Sequence, residues 1–293
     1  MSAARAATKK KNLLLCLDAF GTLYTPSTPI PAAYAQVAAR YGINCGADGA
    51  GAVRTSFKKA FKAQSEQNPN YGKATGLGAE KWWGNVIHQT FTPFLESNQE
   101  VPQALVSDLL KRYSTNEGYT LYDDVDPFFR ALKNPLFRLR YNSITWNRVI
   151  VGIISNSDDR VPGVLESFGL KIGSRRFGVT DCHGKQTLPQ EEDVDFVVMS
   201  YDVGFEKPDH RIFDAAVGML ESSLKDHGED LTPDDFEKLY VGDEVKKDYE
   251  AAKAAGWHSL WLDRDRKAET DNIVNGEDVI HSLLEITNVR AIR

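Results

Sequence analysis

The stretch Leu13-Leu14-Leu15-Cys16-Leu17-Asp18-Ala19-Phe20-Gly21-Thr22-Leu23 decides the fold. Five consecutive apolar residues without alternation suit a strand buried on both faces of a parallel sheet, and the run ends in an acid and the turn-forming Gly21-Thr22. Beyond it the pattern turns helical over Pro31 to Tyr41, Val53 to Gln64, Ala79 to Phe91, Pro102 to Tyr113 and Asp126 to Leu132. Gly, Pro and Asn clusters separate these segments, and the spacing predicts no strand among them. Val149-Ile150-Val151-Gly152-Ile153-Ile154 restores a buried strand, with a helix from Val161 to Phe168 behind it. Phe196-Val197-Val198-Met199-Ser200, Leu239-Tyr240-Val241-Gly242 and Ser259-Leu260-Trp261-Leu262 supply three more. Strands alternating with helices imply an α/β protein with a Rossmann-like parallel sheet, which collects ligands at the carboxyl ends of its strands. The helical block is then an insertion after the first strand. The expected division is a core of residues 10–25 and 145–293 and an insertion of residues 26–144, with hinges at Tyr24 to Pro31 and Lys133 to Ile144. Asn134 to Arg148 and Lys171 to Glu192 read as peripheral excursions.

The 293 residues are long enough to bury a sizeable core, and 42% hydrophobic with 26% charged residues is ordinary for a globular chain. With 35 basic against 41 acidic side chains the net charge is -6, which lacks the basic footprint of a nucleic-acid binder. No apolar run approaches the roughly 20 residues of a membrane span. Cys16, Cys45 and Cys182 form no C-x-x-C pair, so a reducing, cytoplasmic setting is expected. Arg5 and Lys9-Lys10-Lys11 read as a solvated terminus rather than a transit peptide.

Four polar signals fall where predicted strands end: Asp18, Ser155-Asn156, Lys207-Pro208, and Asp243 with Asp248 after Gly242. Singly, each is as readily a cap or a turn former. In this order on an α/β sheet, one edge brings together a carboxylate, a hydroxyl, an ammonium and two further carboxylates.

In these motifs the chain resembles the haloacid dehalogenase superfamily across about residues 13 to 265. The resemblance implies a Rossmann-like core with a helical (C1-type) cap inserted after the first motif. It implies Asp18 as nucleophile, forming a covalent aspartyl intermediate, and Lys207 as the cation that keeps Asp18 ionised. Ser155, with the neighbouring backbone including Asn156, would bind the oxygens of the transferring group. Asp18, the Phe20 carbonyl, Asp243 and Asp248 would hold Mg²⁺. The insertion adds Asn68-Pro69-Asn70-Tyr71-Gly72, Trp82-Trp83 and Gln89-Thr90-Phe91, similar to the subfamily typified by the rhythmically expressed gene 2 product and haloacid dehalogenase-like hydrolase domain-containing protein 3.

The chain departs from family phosphatases at Phe20, where they carry a second Asp as general acid and base. Phenylalanine moves no proton, and loss of a positioned acid costs a factor of about 10² to 10⁴. A slow Mg²⁺-dependent phosphatase acting on a small phosphorylated metabolite is therefore expected. An Asp-Ala-aromatic-Gly-Thr motif is also similar to that of metal-independent 2-haloacid dehalogenases, the enzymatic rival, and a catalytically weak ligand- or partner-binding protein is the third reading. Gly242-Asp243-Glu244 weighs for a metal, because extra carboxylates beside an attacking carboxylate need a compensating cation. Trp82, Trp83 and Tyr71 read first as packing. The six histidines show no metal-ligand spacing.

Overall fold

The computed structural model describes residues 12–133, 146–179, 192–266, 274 and 276–288. The second expected hinge, the boundary between residues 144 and 145, Cys182 and the basic N-terminus lie outside them, as do most of the two expected excursions.

The strands are β1 (Asn12–Leu17), β2 (Tyr24–Pro26), β3 (Tyr119–Leu121), β4 (Val149–Ser155), β5 (Ile172–Arg176), β6 (Val194–Met199), β7 (Phe236–Gly242), β8 (His258–Leu262) and β9 (Val279–Ile280). Seven of them form one sheet in the order β5-β6-β4-β1-β7-β8-β9. Every pairing in it is parallel, so the expected α/β class holds. β1 is central and buried along its whole length, which is why its sequence is apolar without alternation. Leu17 pairs with Ile153 of β4 on one side and Val241 of β7 on the other, so the carboxyl ends of these strands share one edge. The strand order reverses at β1, making this edge a topological switch point.

Side-chain alternation along β1 feeds two cores. Leu13, Leu15 and Leu17 join Val151, Ile153, Val164, Leu165, Leu283 and Ile286 on one face. Leu14 and Cys16 join Ile212, Phe213, Leu220 and Leu224 of the helix Arg211–Asp226 on the other. Ile30–Arg40, Ala50–Gln67, Ala79–Phe91 and Gln103–Arg112 form a separate helical unit around Tyr34, Val53, Ile87, Phe91, Leu105 and Leu109.

Several elements differ from expectation, β2 and β9 being strands that no apolar run predicts. β3 lies where no strand is predicted; three half-exposed residues are too few for a periodic signal, and antiparallel pairing with β2 holds them. β5 occupies the start of an expected excursion as a sheet-edge strand whose Arg175 and Arg176 bond Asp226 and Asp202, so charge hides its strand character. The helix Val125–Lys133, expected in the insertion, packs on the sheet through Val125, Phe128, Phe129 and Leu132. Two adjacent phenylalanines need the large core beneath the sheet rather than the helical unit's smaller one.

Candidate active site

Asp18 follows β1 directly, and its N–H donates to Val241 O at 2.9 Å, which pins it to the end of β7. Its carboxylate accepts from Lys207 Nζ at 2.8 Å. Lys207 reaches in from the loop after β6 and is 3% exposed. Its other two donors go to Tyr240 Oη at 2.8 Å and Asp248 Oδ1 at 2.6 Å, so all three ammonium protons are satisfied. Asn156 clasps the lysine's backbone, accepting its N–H at 2.6 Å and donating to its carbonyl at 2.8 Å. The Asn156 side-chain amide thus positions Lys207, which leaves its backbone beside Ser155. Ser155, buried at the end of β4, helps to favour the ionised form of Asp18.

Asp243 and Asp248 complete the cluster from the turn after β7. Asp243 Oδ1 accepts from Thr22 Oγ1 at 3.2 Å, while its carbonyl accepts from Trp261 Nε1 at 2.9 Å. Asp248 lies in a π-helical turn, Val245–Glu250, and its Oδ2 accepts the Glu244 N–H at 2.8 Å. The glycines before these acids are steric necessities. A Cβ on Gly242 would sit 2.3 Å from Asp248 Cγ, and one on Gly21, at φ +84°, would sit 2.4 Å from Asp243 Oδ2.

Three carboxylates therefore face one ammonium. Burial pushes Asp18 up to about 6, opposed mainly by Lys207. Burial, then the charges of Asp18 and Asp248, push Asp243 up to about 7. Burial alone would pull the Lys207 ammonium down, but Asp18 and Asp248 hold it well above its ordinary value. Asp18, Asp243 and Asp248 each present an oxygen within 4.8 Å of the others. An octahedral ion with bonds of about 2.0 to 2.1 Å spaces its ligand oxygens about 3 to 4 Å apart. The donors are hard oxygens, their spacing needs only a small contraction, and their formal excess of negative charge suits a divalent ion; the residues fit Mg²⁺.

The expected acids, the lysine and Ser155 thus converge on one strand edge. The sequence reading missed Tyr240, whose hydroxyl donates to Ile154 O at 2.8 Å and accepts from Lys207, and also Thr22. A tyrosine inside an otherwise aliphatic strand end was the available signal, because a buried hydroxyl needs a partner. Phe20 contributes no polar side-chain atom and is 46% exposed.

Beside this edge, Trp83 of the helical unit donates from Nε1 to Asp158 Oδ2 at 2.9 Å. Arg160 Nε and NH2 bond the same carboxylate at 2.7 Å, and the guanidinium lies 5.0 Å from the Trp83 ring. Trp83 is therefore a bridge as well as packing, whereas Trp82 packs and bonds within its own unit, to Asn68 O. Tyr71, also read as packing, is ringed by Trp82, Trp83 and Tyr201.

Comparisons with known proteins agree with this geometry. The family described as haloacid dehalogenase-like hydrolase matches residues 13–256. An uncharacterised hydrolase of Schizosaccharomyces pombe is 32% identical over 255 residues, 87% of this chain and 92% of that protein. Human haloacid dehalogenase-like hydrolase domain-containing protein 3 is 28% identical, over 84% of this chain and 80% of its own. Among solved structures, the Bacillus subtilis HAD-hydrolase YfnB, bound to magnesium, aligns with TM-score 0.57 and 16% identity, covering 97% of this chain and 100% of that one.

Proposed function

This chain belongs to the haloacid dehalogenase-like hydrolase family, and from that premise we propose that it is a slow, Mg²⁺-dependent phosphatase acting on a small phosphorylated metabolite. The observation that carries the proposal is the set of Asp18, Asp243 and Asp248 around the single buried ammonium of Lys207. Such clustering of carboxylates is costly unless a cation and an anionic ligand join it.

An Asp18 oxygen attacks phosphorus as the bond to the leaving oxygen breaks, giving an aspartyl phosphate. Water then attacks that phosphorus, the bond to Asp18 breaks, and inorganic phosphate and the free carboxylate result. Lys207 keeps Asp18 ionised, and Ser155 with the adjacent backbone orients the phosphoryl oxygens. Asp18, Asp243, Asp248 and the Phe20 carbonyl would hold Mg²⁺, which would neutralise phosphoryl charge. Phe20 offers no proton, so the leaving group takes its proton from solvent and turnover of alkyl esters is slow. In this reading residues 10–25 and 145–293 form the catalytic core and residues 26–144 its cap. The helix Val125–Lys133 is the part of that span packed on the sheet. The free, buried Cys16 and Cys45 suit a cytoplasmic setting.

Phe20 also favours a second reading, attack of Asp18 on the carbon of a 2-haloacid, because halide departs without a proton. A panel of phosphate esters, acyl phosphates and 2-haloacids, assayed with Mg²⁺ and with chelator, separates the readings. We expect phosphate release that needs Mg²⁺ and vanishes in Asp18→Asn. Halide release that persists in chelator would support the dehalogenase instead, and Mg²⁺ binding with no turnover would support a binding protein.

A further inference from the structure

Phe20 is the most exposed large apolar side chain among the described residues, although it stands two positions from the nucleophile. Its place is fixed. Gly21 N–H donates to Tyr24 O and Leu23 N–H to Ala19 O, both at 2.8 Å, which closes the turn that carries it. Its ring meets Tyr24 edge-on at 6.0 Å and Tyr119 at 6.3 Å, and those two tyrosines lie 4.9 Å apart. Tyr119 continues to Tyr113 at 5.6 Å, and both line a cavity of about 40 Å³ with Trp83, Tyr34 and Arg160. Among the described residues the buried Tyr113 hydroxyl has no hydrogen-bond partner. The buried Tyr24 is near enough to both Asp18 and Asp158 to feel their charges.

We propose that Phe20 and Tyr119 form the binding surface for an aromatic leaving group, so that the substrate class is an aryl phosphate; this rests on the phosphatase reading above. Two independent observations meet here. With no acid at Phe20, the departing oxygen must leave as an anion, which a phenolate does far more readily than an alkoxide, because a phenol's pKa is near 10. The half-exposed Phe20 ring, braced edge-on by two tyrosines, offers a face that a second ring covers by stacking. In the transfer step the Asp18 oxygen–phosphorus bond forms while the phosphorus–phenolic oxygen bond breaks. The electron pair leaves with the phenolate, which takes its proton from solvent.

The test compares phenylphosphonate with methylphosphonate, both non-hydrolysable, by calorimetry on the full chain with Mg²⁺ present. We expect phenylphosphonate to bind about tenfold tighter, in line with one aromatic contact. The preference should fall to near unity in Phe20→Ala, shrink in Tyr119→Leu and be retained in Phe20→Tyr, with melting curves confirming that each variant folds. Equal wild-type binding of the two phosphonates would overturn the proposal while leaving the phosphatase reading intact. So would a preference that survives both Phe20→Ala and Tyr119→Leu. Binding of neither phosphonate would instead sink the phosphatase reading, and this proposal with it.

Discussion

Lys207 is the residue on which the acid cluster depends, since its one charge touches Asp18 and Asp248 directly and leaves Asp243 to be balanced from outside. The neighbouring Phe20 sets the expected rate. If chemistry is limited by the missing acid, Phe20→Asp should raise turnover of alkyl phosphates by up to about 10²-fold and change acyl phosphates much less, measured as kcat/KM on both. An equal rise on both substrates would show that Phe20 limits something other than proton transfer. Asp18, Ser155 and Asp243 were legible in the sequence because each stands at the end of an apolar run, Lys207 and Asp248 because they complete the order of motifs behind those runs. The roles of Tyr240, Thr22 and Asn156 were not, because their partners are fixed only by folding: Asn156 and Lys207 are 51 positions apart, Thr22 and Asp243 221. No local pattern encodes such pairs.

The central strands β1, β4 and β7 could be read from their unbroken apolar runs, and the helices Ile30–Arg40 and Ala79–Phe91 from periodicity and flanking Pro and Gly. Edge elements could not, since β3 and β5 owe their conformation to a neighbour's hydrogen bonds rather than to their own pattern. β6 carries a testable cost. Burial pushes the Asp195 carboxyl up to about 6 even though it accepts the Val151 N–H at 2.7 Å. Between about pH 4, its unfolded pKa, and pH 6 the native chain therefore holds more protons here than the unfolded chain, so this group's contribution to stability falls as pH rises through that window. Above pH 6 the cost is constant, on the order of 1 to 2 kcal/mol after allowance for solvent screening. Asp195→Asn can still accept the Val151 N–H through its carbonyl and should melt higher than the wild type at pH 7, with the gap closing near pH 4. A gap independent of pH would contradict this cause.

The hydrogen bonds that tie the inserted span to the body of the sheet include Trp83 to Asp158, Asn70 to the Ser200 carbonyl at 2.7 Å, and Asn116 to Ser167 at 2.7 and 2.8 Å. Their partners, the loop after β4, the end of β6 and the helix Val161–Ser167, belong to the body that carries the acid cluster, so these hydrogen bonds hold the helical unit beside it. Removing one contact should loosen that link. Trp83→Phe deletes the hydrogen bond to Asp158, worth about 1 kcal/mol, while keeping an aromatic ring against Arg160. Faster amide hydrogen exchange is expected in the helix Ala79–Phe91 and in the segment 156–160, with the sheet core unchanged; uniform exchange throughout would show no such link. The insertion itself was legible as a run of helices, but its attachment was not, since Val125–Lys133 reveals its partner only through the core it fills. The most direct measurement of the central claim is peptide mass spectrometry after acid quench of the protein mixed with acetyl phosphate and Mg²⁺. The account predicts one phosphoryl group on Asp18, absent in Asp18→Asn and in chelator; phosphate release with Asp18 never labelled would contradict it.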